Sequence, residues 1–445
     1  MSIKGLDMTV NAQQTNPILE NLKDDSLKIA NASPSWLKEI KSNAWSRFAE
    51  LGIPTTRHEE WKYFNLAVLS TGRFHLPVSA ELTDAKELQI YLSPDDINVV
   101  FVNGVFSSKL SSIGQLPKGI SVVRLAEAIQ KDPEQLKGFY KKATPNDPEP
   151  FVSLNNAMHQ DGVCIRVADK AIVEQIIHIV HVSTGNLQDA AIFPRTFLTV
   201  GKSAQVSVLE SFAGLSDVKY FISPVTDIHL SENAVLNYYK AQIENSKAIH
   251  IGAMRIWQEA NSQLEAFTMA AGAQMARNNI SVLSQGEGTD SIVDGLYVLS
   301  DTQIVDNHTL IDHQQPNCTS HQLYKGILND ASHAVFNGKI FVQPIAQKTN
   351  SYQLNKHLVL GKQARVDTKP QLEIGADDVK CTHGATIGQL NEDELFYLQT
   401  RCIGRDDAVR MLSRGFVDDI LDKLRNQTIR QKLGALLARK IAILR

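Results

Sequence analysis

Four cysteines in 445 residues, at positions 164, 318, 381 and 402, are too few and too scattered for a disulfide framework, so all read as reduced thiols. No stretch approaches the ~18 consecutive apolar residues of a membrane span, and the opening Met1-Ser2-Ile3-Lys4-Gly5-Leu6-Asp7 lacks the apolar segment of a signal peptide. A cytoplasmic protein with no membrane association is expected. An excess of one charge is also missing. The 45 basic and 48 acidic residues leave a net charge of -3, which gives no reason to expect a nucleic-acid partner. There is no Gly-x-Ser-x-Gly, no His-Glu-x-x-His and no paired Cys-x-x-Cys, so hydrolases and closed zinc sites lose their strongest signals. Gly201-Lys202-Ser203 resembles the end of a phosphate-binding loop, yet the first glycine of such a loop would fall on Thr196. A strand pattern follows where a helix is needed, so ATP hydrolysis by this chain is not expected.

Proline becomes scarce beyond residue 150, since ten of the 15 lie before that point, and the cluster Pro145, Pro148 and Pro150 sets a boundary. Residues 1–150 read as a mixed region. Ser33 and Pro34 open a helix whose apolar stripe, Trp36, Ile40, Ala44, Phe48 and Leu51, stops at Gly52 and Pro54. Arg57-His58-Glu59-Glu60-Trp61-Lys62-Tyr63-Phe64 reads as an amphipathic turn of helix, and Val99 to Phe106 as two short strands around Asn103-Gly104. Residues 151–390 are dominated by short alternating runs between polar turns, which is a strand signature. A small residue follows the turn in several of them. Ala204 and Ala234 are 30 residues apart, and Ala331 and Ala364 are 33 apart, spacings that suit the stacked coils of a β-helix better than a β-sandwich. Residues 391–445 read as helical. Asn391 is the expected N-cap with Glu394 three positions on, and Val409, Leu412, Phe416, Ile420 and Leu424 trace an apolar face that needs a partner surface. The acid-free tail from 426, with Arg430, Lys432, Arg439, Lys440 and Arg445, reads as a solvated face.

The chemistry-bearing pair is Cys381 and His383. Two residues apart on a strand, their side chains leave the same face, within reach of one metal ion. The competing reading makes Cys381 a small packed hydrophobe and His383 a hydrogen-bonded neighbour, and two donors alone do not complete a four-ligand site. Six of the 13 histidines, His308, His313, His321, His333, His357 and His383, crowd the end of the strand-rich region. All but His383 are expected to be surface decoration.

Asp378-Val379-Lys380-Cys381-Thr382-His383-Gly384-Ala385-Thr386-Ile387-Gly388, followed by Glu394-Leu395-Phe396-Tyr397-Leu398-Gln399-Thr400-Arg401, resembles the core signature of the SufB/SufD family of iron–sulfur cluster assembly scaffolds. Arg57 to Tyr63 and Phe101-Val102-Asn103-Gly104 resemble its N-terminal landmarks, and the absence of cysteine before residue 150 favours the D-type over the B-type subunit. The resemblance implies a mainly β chain: a right-handed parallel β-helix core at 151–390, an N-terminal helical or mixed domain at 1–150 and a C-terminal helical domain at 391–445. It implies a non-catalytic scaffold that pairs with a SufB subunit through the β-helix and docks a SufC ATPase on its C-terminal domain. A transient iron–sulfur cluster would form at the SufB seam with His383 as a ligand and Cys381 beside it. Phe396, Tyr397, Arg401 and Phe416 are the expected SufC-docking residues, although the aromatics can equally pack on the β-helix. A flavin is left open, with no motif to support it, and a homodimer is open for the isolated chain. Cys402 stands where the family usually has glycine, and Gly404 is expected to supply the left-handed helix cap instead. A polysaccharide-acting β-helix enzyme and a self-contained metal-binding protein are the alternatives.

Overall fold

The computed structural model describes residues 17–77, 88, 91–114, 116–142 and 148–444, so Met1–Asp7, Pro145 and Arg445 lie outside the described residues. The spacing of polar turns has a direct structural cause. At one corner of each coil Ser203, Asn233, Asn261, Asn317 and Lys348 adopt left-handed backbone, with φ between 54° and 59°. Their amide groups donate to the corner of the next coil, Ser203 to the Glu232 carbonyl (3.0 Å) and Asn233 to the Ala260 carbonyl (2.9 Å), for example. Asn and Ser tolerate this conformation better than branched residues. The next residue turns inward where space is short, which is why Ala204 and Ala234 are fully buried. Cys318 occupies the same corner after Asn317 and is fully buried, its thiol directed at the Gln315 carbonyl (3.2 Å). It is a packing residue.

These corners stack strands in parallel register. Gln205, Val235, Gln263, Asp290, Thr319, Asn350 and Lys380 lie side by side along a ten-stranded sheet. An 11-stranded sheet faces it, running from Gly162–Val167 through Ile249–Gln258 and Ile304–His313 to Arg365–Ile374. The result is a parallel β-solenoid of about 8 turns, flanked by N-terminal and C-terminal helices.

The two ends of the stack differ. At the start each sheet begins with an antiparallel strand: the two-residue Val105–Phe106 on Ile97–Val102, and Ile120–Arg124 on Gly162–Val167. The Asn103-Gly104 turn has positive φ at both positions, as the hairpin reading predicts. At the far end, Arg365–Ile374 and Lys380–Gly388 are the outermost strands of their sheets and are exposed or half-buried throughout.

The helix Ser35–Leu51 ends at Gly52 (φ 66°) as the sequence indicates. Arg57–Phe64 forms a single 3₁₀ turn, Glu59–Trp61, which straps the solenoid side: Glu59 pairs with Lys369 (2.6 Å), Glu60 with His308 (3.3 Å), and Trp61 lies 3.6 Å from the Arg277 guanidinium. The C-terminal face finds its partner on the ten-stranded sheet. Val417, Ile420, Leu421 and Leu424 of Arg405–Leu421 and its extension pack with Ile429, Leu433 and Leu437 of Gln427–Ile441 against Tyr239, Phe267, Leu296 and Leu323. The basic tail is only partly solvated, because Lys432 reaches the buried Asp96.

The interior holds charge as well as apolar side chains. Fully buried Glu210 accepts hydrogen bonds from Thr196 and Thr226 (3.1 Å each) and from Tyr238 and His181. Burial alone would raise its pKa, but the His181 and Tyr238 contacts hold it below the usual carboxylate range.

Candidate functional site

The strand Lys380–Gly388 is the last of the ten-stranded sheet, in register with Asn350–Val359, so that Ser351 pairs with Cys381 and Gln353 with His383. One coil further down, Ser320 pairs with Ser351 and Gln322 with Gln353. These side chains point into the solenoid. Gln322 Nε2 crosses to Thr309 Oγ1 on the opposite sheet (2.9 Å), Gln353 Nε2 donates to Gln322 Oε1 (2.6 Å), and the Ser320 and Ser351 hydroxyls are 2.7 Å apart. Cys381 and His383 therefore occupy inward-facing positions of the terminal coil, uncovered because no further coil follows. His383 is exposed. Cys381 is half-buried beside Ile340, Val342, Ala346 and Ala376. Burial pushes its thiol up, partly opposed by a backbone hydrogen bond from Ser351, so the isolated chain presents a thiol that must lose its proton on meeting a metal.

The two donors share a face as the spacing indicates, but no group of three or more His, Cys, Asp or Glu side chains suited to a metal exists among the described residues. The residues present fit half of a coordination shell. Imidazole and thiol suit iron, and a cluster held there would take its remaining ligands from another chain.

Reading the histidines as surface decoration is corrected for His313 and His357, whereas His321 and His333 keep partly exposed side chains. His313 and His357 are buried, bonded to Ser320 (2.9 Å) and to Tyr297, and His308 is bracketed by Asp306 (2.9 Å) and Glu60. Burial holds His313 and His357 down to about 4, so both are neutral packing groups. The polar columns beneath the pair were missed. Their signal is in the chain nonetheless: Ser320-His321-Gln322, Ser351-Tyr352-Gln353 and Cys381-Thr382-His383 repeat a polar-x-polar triplet at the coil spacing.

Of the proposed docking residues, Phe396 (68% exposed) and Tyr397 (57%) lie on Glu392–Thr400, with the Arg401 guanidinium 5.2 Å from the Tyr397 ring. Phe416 is half-buried, its ring capped by Lys325 Nζ at 3.9 Å and packed with the solenoid-facing cluster. The left-handed cap is also corrected. Cys402 itself takes φ 62°, while Gly404 (φ -60°) is the N-cap of the next helix. The helix ends at Thr400, and Cys402, two residues on, takes the left-handed turn that glycine more commonly supplies.

The solenoid thus ends in a coil whose inward face carries Cys381 and His383, and an appended helix exposes Phe396 and Tyr397. Comparison with known proteins identifies the class. The family model for the SUF system FeS cluster assembly, SufBD core domain, matches residues 181–416, and that for the SufBD protein N-terminal region matches 13–179. The chain belongs to the SufBD family of iron–sulfur cluster assembly proteins. It is 31% identical over 428 residues to an iron–sulfur cluster assembly SufBD family protein of Synechocystis, covering 94% of each chain. It is 29% identical to the iron–sulfur cluster assembly protein SufD of Escherichia coli, over 88% of this chain and 90% of that one. Protein ABCI7, chloroplastic, of Arabidopsis thaliana is 28% identical over 92% of this chain and 87% of its own length. No helix among the described residues is long and apolar enough to cross a membrane.

Proposed function

We propose that this chain is a non-catalytic scaffold subunit that receives a nascent iron–sulfur cluster as cargo at the bare end of its solenoid. A SufB-type subunit closes that end, pairing with Arg365–Ile374 and Lys380–Gly388 and supplying the remaining ligands. His383 donates an imidazole nitrogen and Cys381 lies beside it. A SufC-type ATPase docks on the C-terminal helices through Phe396, Tyr397 and Arg401, with the accessible part of Phe416 at the edge. In the absence of the B-type subunit the same strands pair two copies of this chain. The observation that carries the reading is the inward-facing placement of Cys381 and His383 in an exposed last coil. Two long unpaired strand edges ask for a partner, and a two-donor site asks for more ligands.

The test is co-purification with SufB- and SufC-type subunits, then anaerobic reconstitution with iron and sulfide. His383→Ala should leave the complex intact and lower cluster yield by about 10-fold or more. Wild-type yield from that variant in an intact complex overturns the assignment. A self-contained metal protein predicts instead that the isolated chain holds stoichiometric iron.

A further inference from the structure

Inside the last coils the amides form a chain with a direction. Gln322 gives its NH₂ to Thr309 and its carbonyl to the Gln353 NH₂, which leaves the Gln353 carbonyl as the free end. Gln353 is fully buried, and its Oε1 has no hydrogen-bond partner. An orphaned buried acceptor costs about 1–3 kcal/mol, so its neighbour matters. The parallel register puts His383 directly beside Gln353, about 4.8 Å away along the sheet and on the same inward face. The column under Cys381 is different, because Ser351 is already bonded to Ser320 and Ser320 to His313. On the opposite sheet, a Cβ at Gly338 would lie 2.4 Å from Gln353 Nε2 and 2.7 Å from the Phe336 ring, so glycine there makes room for both the amide and the ring.

We infer that Gln353 is the positioning residue for His383: its carbonyl accepts the hydrogen of one imidazole nitrogen and turns the other, carrying the lone pair, toward the seam. An imidazole that binds metal commonly donates its second nitrogen to a carbonyl or carboxylate, which fixes both tautomer and ring angle. The inference rests on the reading of His383 as a cluster ligand but is tested first without any metal.

In the full apo chain with ¹⁵N-labelled histidine, the His383 signals are assigned by their loss in His383→Ala. Wild type should show one dominant tautomer. Gln353→Met, similar in length but with only a weakly accepting thioether, should give a mixture of both. In the reconstituted complex, Gln353→Met should lower cluster yield about 10–100-fold. Gly338→Ala, which crowds the amide and leaves Gln353 in place, should also mix the tautomers, and it serves if Gln353→Met does not fold. If His383→Ala has no effect on yield, the ligand reading fails. If His383→Ala does lower yield while Gln353→Met and Gly338→Ala keep the wild-type tautomer ratio, the positioning role alone is overturned.

Discussion

Lys41 shows how far a single group can depart from its expected chemistry. It lies in Ser35–Leu51, buried against Pro150–Met158, with Nζ donating to the His159 carbonyl (2.7 Å). Burial, assisted by the nearby Arg195 charge, holds its amine down to about 7. The folded value lies below the unfolded one, so between about pH 7 and 10 the unfolded chain carries a proton that the folded chain lacks, and stability rises with pH across that window. Lys240, held down to about 8 by burial, adds its own rise only above that value. Lys41→Met should therefore flatten the increase in urea midpoint between pH 7 and 8, where wild type gains up to about 1.4 kcal/mol per unit. A second residue prediction concerns Cys402. A non-glycine residue in left-handed backbone costs about 1–2 kcal/mol, so Cys402→Gly should raise unfolding free energy by about 1 kcal/mol, read by chemical denaturation. Much at this scale was legible: the helix stop at Gly52, the Asn103-Gly104 turn and the shared face of Cys381 and His383 follow from local rules. Lys41 and the buried His313 and His357 were not, because their burial depends on which elements meet.

The coil corner is the repeating element, and its sequence trace is the polar residue before a small one. Asn233→Val should cost about 2 kcal/mol or more by forcing a β-branched residue into left-handed backbone, whereas Asn233→Gly should be nearly neutral. Parallel changes in thermal midpoint would refute the corner mechanism. The C-terminal helices depend on a different contact. The Glu265 carboxylate accepts from the Arg425 (3.1 Å) amide and from Tyr239, whose hydroxyl in turn accepts from the Asn426 amide (3.3 Å). Glu265 thus holds the linker between the last two helices on the solenoid. Glu265→Ala should speed amide hydrogen exchange across Gln427–Ile441 while sparing the solenoid strands, and uniform protection would show that apolar packing suffices. The sequence announced that the apolar face of Arg405–Leu421 needed a partner. It could not announce Glu265, because that contact joins residues 160 apart in the chain.

For the whole molecule, the buried histidines set an acid limit. Burial lowers His178 to about 3, with Lys432 assisting, and His313 and His357 to about 4. Below about pH 6.5 the unfolded chain takes up protons that the native state refuses, so stability falls as pH drops toward 4. Each such histidine adds a slope of up to about 1.4 kcal/mol per unit, and His159, also held well below its usual value by burial, adds to them, so His313→Asn should remove one such contribution. The bare end has its own prediction. Ile374 (44% exposed) and Ile387 (54%) lie on its two edge strands, and Ile387→Asp should weaken subunit pairing about 10-fold or more in sedimentation while leaving the melting temperature of the isolated chain near wild type. The stacked coils were legible because each repeats a local pattern. What closes the stack was not, since a last coil looks in sequence like any other.

The contrast between the two ends carries one more consequence. Among the described residues, the first coils finish in short antiparallel strands that discourage addition, and the long open edges lie at the last coil. If pairing runs through that terminus, as proposed above, the valence is one: such a molecule would make pairs and stop, where a stack bare at both ends would chain into fibres.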